Sequence, residues 1–162
     1  MLGAQNVGLP IALIPAVLVV MNVVYALAAY PAGALSDHLG RFAVLFFGLM
    51  TLIVADLVLA AAPSVIGEAI GVALCGAHMG LTQSALASLV ADTSPPELRG
   101  SAFGYFNLLG GAAALAASVI AGALWDRIGP PATFLASAVF AFFTLLGLIW
   151  LRTRLSGNDP AD

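Results

Sequence analysis

The sequence predicts an all-α integral membrane protein of five transmembrane helices. Three observations carry that prediction. Of 162 residues, 62% are hydrophobic and only 8% charged, too little charge for a soluble domain of this length. Mean hydropathy is +1.07. Several apolar runs reach about 20 residues, enough to cross a hydrocarbon core of roughly 30 Å.

The first span is expected over residues 11–32, after an extracytoplasmic N-terminal segment of residues 1–10, with Pro15 as a kink. No secretory signal is expected: the first nine residues carry no basic side chain, and the first apolar run is too long for a signal core. The stretch GALSDHLGR, residues 33–41, gathers an Asp, a His and an Arg within five positions and reads as a loop between spans. The second span follows over 42–62. A tight turn at Ala62-Pro63-Ser64 leads to the third, over 65–91.

The fourth span is expected over 100–125. Ser94-Pro95-Pro96-Glu97 ahead of it fits a capping box, with Ser94 as N-cap and Glu97 reaching back. The fifth covers 131–151, and residues 153–162 form a disordered cytoplasmic tail. Trp125 and Trp150 fall at span ends, where amphipathic rings prefer the interface. Arg41, Arg99, Arg152 and Arg154 share one side of this arrangement and Arg127 takes the other. The positive-inside rule then puts the N-terminus outside and the C-terminus in the cytoplasm of a multi-pass protein of the inner (plasma) membrane.

Several function classes drop out. The chain has no lysine and a net charge of −3, which excludes nucleic acid as a partner. Cys75 is the lone cysteine, so an intrachain disulfide and a thiolate metal cluster are excluded, and no metal or organic cofactor is expected.

Helical spacing sorts the third span into two faces. Glu68, Gly71, Cys75, His78 and Thr82 recur at steps of three and four within an arc of roughly 80°. Gly76, Gly80, Ser84 and Ser88 form a stripe on about the opposite side, where small residues let helices approach closely. His78 lies about 15 Å along the axis from Glu68, near the bilayer midplane. It reads either as a cavity-lining group that binds solute or relays protons, or as a neutral core histidine bonded to a neighbouring helix. Cys75 reads as a packing residue before a reactive thiol.

The first span offers Asn22 and Tyr25 on one face. Gly100, Gly104, Asn107, Gly111, Ala114, Ser118 and Gly122 make a close-packing seam on the fourth. Asp56 and Glu68 fall in the outer third of the bilayer and are candidates for proton coupling. An intramembrane enzyme built from Cys75, His78 and Glu68 is disfavoured. The three sit at different depths on one face, whereas a nucleophile and its base need contact near about 3 Å.

The loop then takes a recognisable shape. Gly33, Leu35, Asp37, Gly40 and Arg41 resemble the G-x-L-x-D-x-x-G-R loop of major facilitator superfamily transporters. Downstream, GAHMGLTQ, PPELRGSAFGYFN and AGALWDRIGP are similar to the tenth helix, the following loop and the eleventh helix of bacterial members. The resemblance covers almost the whole chain. It implies that the five spans are the eighth to twelfth helices of a twelve-helix bundle, with MLGAQNVG matching the end of the seventh. It further implies a gating loop in which Asp37 faces a helix of the opposite half and Arg41 pairs with Asp92. His38 and Phe42 stand where the family commonly has Arg or Lys.

The expected function is therefore a partial or split secondary transporter. It would move a small solute by alternating access, with His78, Glu68, Thr82, Asn22 and Tyr25 lining the site and Gly33, Asp37, Gly40, Arg41 and Asp92 gating it. The expected partners are the lipid bilayer, the solute, and a complementary N-terminal half or an oligomer. The rival from another class is a non-transporting membrane scaffold or a decayed transporter fragment.

Overall fold

A computed structural model of the protein describes residues 14–61 and 64–156. The described residues form five long helices: α1 (Ile14–Leu39), α2 (Arg41–Ala61), α3 (Val65–Thr93), α4 (Arg99–Arg127) and α5 (Pro130–Ser156). All five are long and apolar enough to cross a membrane. No strand occurs among the described residues. The N-terminal segment 1–10 lies outside the described residues, as do Ala62 and Pro63 of the expected turn and residues 157–162.

The expected loop is almost entirely helical. α1 continues through Ser36, Asp37 and His38 to Leu39, and Gly40 alone separates it from α2. Gly40 has φ +82°, the left-handed region that only glycine enters without steric cost. Its N–H donates to the Ser36 carbonyl at 3.0 Å, closing α1. Its own carbonyl accepts from Ala43 at 3.2 Å and opens α2. One residue thus ends one helix and starts the next. A polar run reads as a loop, but in an aqueous last turn it is an ordinary helix end.

Pro15 falls in the first turn of the described part of α1, and the proline inside that helix is Pro31, whose missing N–H leaves the Leu27 carbonyl without a helical donor. At the other end α5 runs to Ser156, so residues 153–156 of the expected tail are helical. The capping box at Ser94 does not form. Pro96 forces the residue before it out of the helical region, so Pro95 takes the extended conformation and stands as N-cap with no side chain to bond. Ser94 instead closes α3. A single 3-10 turn, Pro96–Leu98, then leads into α4.

The cap that does form is Ser64, whose Oγ accepts from the Gly67 N–H at 3.3 Å at the start of α3. Ser64→Ala should cost about 0.5–2 kcal/mol. Thermal unfolding of the detergent-solubilised chain reads that loss, and an unchanged midpoint would show the cap to be idle.

α3 is the central helix, packed between α1 and α2, while α2 also carries α5. The best-buried cluster is Ala32, Val44, Leu45 and Ala85, with Leu81, Leu86 and Leu148 against it. Small residues set the approach. A Cβ at Gly76 would strike the Met21 carbonyl oxygen, and one at Gly80 would lie 2.8 Å from the Tyr25 carbonyl oxygen and from Ala28 Cβ. The expected packing stripe of α3 is thus applied to α1.

α4 differs. None of its residues is buried, and a Cβ at Gly100, Gly104, Gly110, Gly111 or Gly122 would meet nothing within 4 Å. The expected seam, Asn107 included, faces no helix among the described residues. α4 is held near its C-terminal end. Thr133 Oγ1 donates to the Ala121 carbonyl at 3.4 Å, and Trp125 meets Phe134 edge to face at 6.1 Å.

Candidate functional site

Two polar regions and three cavities account for the sequence-predicted residues. The first region is the joint itself. Arg41, the first residue of α2, directs Nη2 to the Asp92 carboxylate near the end of α3. Its other terminal guanidinium nitrogen, Nη1, is buried without a partner among the described residues. Arg99 Nε donates to the Ala91 carbonyl at 3.1 Å, so a second cation serves the last turn of α3. The end of α3 is clasped from both sides. Gly33 lies in α1, where its carbonyl accepts from the buried Ser36 hydroxyl at 2.8 Å. Asp37 occupies the last turn of α1, and its side chain lies outside the described residues.

The second region is the open face of the α1–α3 pair. Tyr25 Oη donates to Gln83 Oε1 at 3.1 Å, linking the two helices. Asn22 lies three residues from Tyr25 on α1, exposed, with Nδ2 donating to the Leu18 carbonyl of its own helix at 2.7 Å. Gln83 escapes the periodicity argument because it sits about 100° from the polar stripe of α3. Its neighbour Thr82, in the run GLTQ, draws attention first.

That polar stripe is divided between neighbours. Glu68 is 6% exposed and lines a small cavity, about 180 Å³, against Ala16, Val17 and Val20 of α1. Gly71 abuts Leu59 of α2. His78 Nδ1 donates to the Gly48 carbonyl of α2 at 2.8 Å. Thr82 donates to its own helix at the His78 carbonyl, 2.8 Å away, and its methyl lies where a Gly48 Cβ would have to go. His78 therefore bonds a neighbouring helix and also lines a cavity. That cavity, about 470 Å³, is bounded by His78, Thr82 and Leu86 of α3, Leu45 and Leu49 of α2, and Ser137 and Thr144 of α5. Cys75 is a half-buried free thiol.

Asp56 is 4% exposed and lies in a cavity between α2, α4 and α5 that shares Ser137 and Phe140 with the His78 cavity. The predicted residues are thus not assembled into one site. Asn22 and Tyr25 share a face with Gln83, and His78 and Thr82 share a cavity. Glu68 lies separately, and Asp56 occupies the adjoining cavity across Ser137. Among the described residues no three His, Cys, Asp or Glu side chains come together as a metal-binding set.

Five apolar helices with an ion-paired joint define a polytopic α-helical membrane protein. Comparison with known proteins gives the family. The model of the Major Facilitator Superfamily matches residues 2–161. An uncharacterized MFS-type transporter of Methanocaldococcus jannaschii is 34% identical over 136 residues, covering 84% of this chain and 34% of the relative. The chain belongs to the Major Facilitator Superfamily and is a multi-pass membrane protein. It spans about a third of the length of that curated relative.

Proposed function

We propose that this chain is the C-terminal part, helices eight to twelve, of a secondary transporter that moves a small solute by alternating access, with its N-terminus outside and its C-terminus in the cytoplasm. The observation that carries the reading is the exposed Tyr25–Gln83 bond, with Asn22 beside it, on an otherwise apolar surface. Polar groups at membrane depth are stable where they face water or another polar surface. In a two-half transporter that surface borders the central solute path.

The Arg41–Asp92 pair holds the α1–α2 joint to the end of α3. It acts as a latch that must give way when the halves rock. Glu68, buried on the α1–α3 seam that leads to the polar face, is the candidate proton carrier. His78 and Thr82 line a second pocket, walled also by α2 and α5, that offers solute a further polar surface. A complementary half supports α4, whose whole circumference is otherwise unburied.

Reconstitution tests the reading. The chain alone, in proteoliposomes with an imposed pH gradient, should accumulate no sugar, organic acid or lipophilic drug from a broad labelled panel. The same chain fused behind the first two-thirds of the methanogen relative should take up at least one of them saturably. Converting both Tyr25 and Gln83 to apolar residues, Tyr25→Phe with Gln83→Leu, should cut that uptake by about tenfold or more, as expected when a polar contact to solute is lost. Uphill uptake by the chain alone would show that five helices suffice. Topology is read separately. Cysteines at His38 and Thr153 should resist impermeant reagents added outside and one at Ser64 should react, whereas reaction of both His38 and Thr153 from outside would invert the orientation.

A further inference from the structure

A cavity of about 570 Å³ lies between α4 and α5 against one side of α2, within the range of about 300–1,000 Å³ typical of small-molecule pockets. Its walls are apolar, built from the alanines of one α4 face, such as Ala113 and Ala117, with Leu124 and Phe140. Three polar side chains interrupt them: Asp56, Thr133 and Ser137.

Asp56 is the feature that asks for a ligand. It is 4% exposed, and its Oδ2 has no hydrogen-bond partner among the described residues. A carboxyl oxygen withdrawn from water and left unpaired is costly, and no basic side chain lines the cavity. Two of the polar groups, Asp56 and Thr133, lie towards one end, with Ser137 one turn further in. Asp56 is five residues from the end of α2, Leu124 three from the end of α4, and Thr133 three from the start of α5. The apolar depth runs the other way, towards Ala113 and Phe140.

We propose that this cavity binds an amphipathic amine: an alkyl or aryl body carrying one ammonium group. The ammonium donates to Asp56 Oδ2, and the body lies along the α4 alanines. An anionic ligand would meet the carboxyl with like charge, and a neutral hydrocarbon would leave Oδ2 unpaired. A sugar would bury its hydroxyls against alanine. The site is built from other helices than the Tyr25–Gln83 face and does not rest on the transport reading. A free lipophilic amine and an aminophospholipid share this chemistry.

Photo-crosslinking tests the site. The purified full chain in maltoside micelles is exposed to a diazirine-bearing dodecylamine or to the matching alcohol, and labelled residues are mapped by mass spectrometry. The amine should label residues 113–124 and 133–140 about tenfold more than the alcohol, the factor a charge-assisted hydrogen bond supplies. Asp56→Asn should bring the amine down to the level of the alcohol. Ala117→Phe, which enters the cavity from an exposed position of α4, should abolish labelling by both.

Competition by a lipid with an ethanolamine headgroup, and not by its choline counterpart, assigns the site to an aminophospholipid. Competition by neither assigns it to free amines. Equal labelling by amine and alcohol, labelling mapped elsewhere, or undiminished labelling of Asp56→Asn overturns the proposal. Circular dichroism and size exclusion check that Asp56→Asn folds. Should it not, Ala117→Phe decides, and undiminished labelling of that variant overturns the site.

Discussion

Gly76→Ala and Gly80→Ala are each expected to unseat α1 from α3 and to lower the thermal midpoint of the detergent-solubilised chain. The added methyl at Gly76 runs into the Met21 carbonyl, and the one at Gly80 into the Tyr25 carbonyl and the Ala28 side chain. Backbone cannot step aside as a flexible side chain would. Overpacking costs about 1–3 kcal/mol, and these two sites belong at the upper end. The control is Gly104→Ala with Gly111→Ala on α4, where nothing lies within 4 Å. There alanine should be neutral or stabilising, by up to about 1 kcal/mol per site from helix propensity. Equal effects at the two pairs would show that α4 is as tightly packed as α3, and the α1–α3 seam would lose its special standing.

Charge reversal at the joint is the second large effect. Arg41→Glu puts two acids together beside the end of α3, and Asp92→Arg crowds three cations there with Arg41 and Arg99. The Arg41 side chain is 24% exposed and that of Asp92 57%. The pair therefore falls between an exposed bridge, worth ~0.2–1 kcal/mol, and a buried one, whose disruption costs about 3–5 kcal/mol. Each single reversal should cost about 1–3 kcal/mol on that scale. The double reversal should recover most of it, while Arg127→Glu at the other end should change little. A double variant no better than either single one would mean that the two side chains do not act as a pair.

Much of the fold was legible because hydropathy reads length directly. An apolar run of about 20 residues must be a span, and the glycines and prolines between runs marked where spans stop. The Gly76–Gly80 stripe was legible for a similar reason, since small residues four apart have one common use in lipid. Periodicity reports faces, though, and not what covers them. The stripe through Gly71, His78 and Thr82 looked like a cavity wall because it was polar. In the structure part of it meets α2, where Gly48 and Gly71 allow close approach and the Gly48 carbonyl satisfies the histidine, while His78 and Thr82 also border a cavity.

Gln83 stayed hidden because its partner is 58 residues away on α1. Ser137 was hidden because one serine in an apolar span carries no pattern. Its relevance appears only once α5 is laid beside Asp56. The failed cap at Ser94 was a conflict between two local rules. The proline restriction on the preceding residue prevailed over the capping sequence.

The one-residue joint at Gly40 ties chain length to angular phase. Each residue of an α-helix advances it by about 100°, and Gly40 leaves no slack between α1 and α2 in which an extra residue could be absorbed. Inserting one amino acid there would rotate every side chain of α2 by about that angle relative to α1. Gly48 would leave His78, Leu59 would leave Gly71, and Asp56 would swing out of its cavity together with them. Single-residue insertion at this point is therefore a change to the whole azimuth of α2, whereas the same insertion in the stretch between α3 and α4 would lengthen a connection and leave both helices in phase.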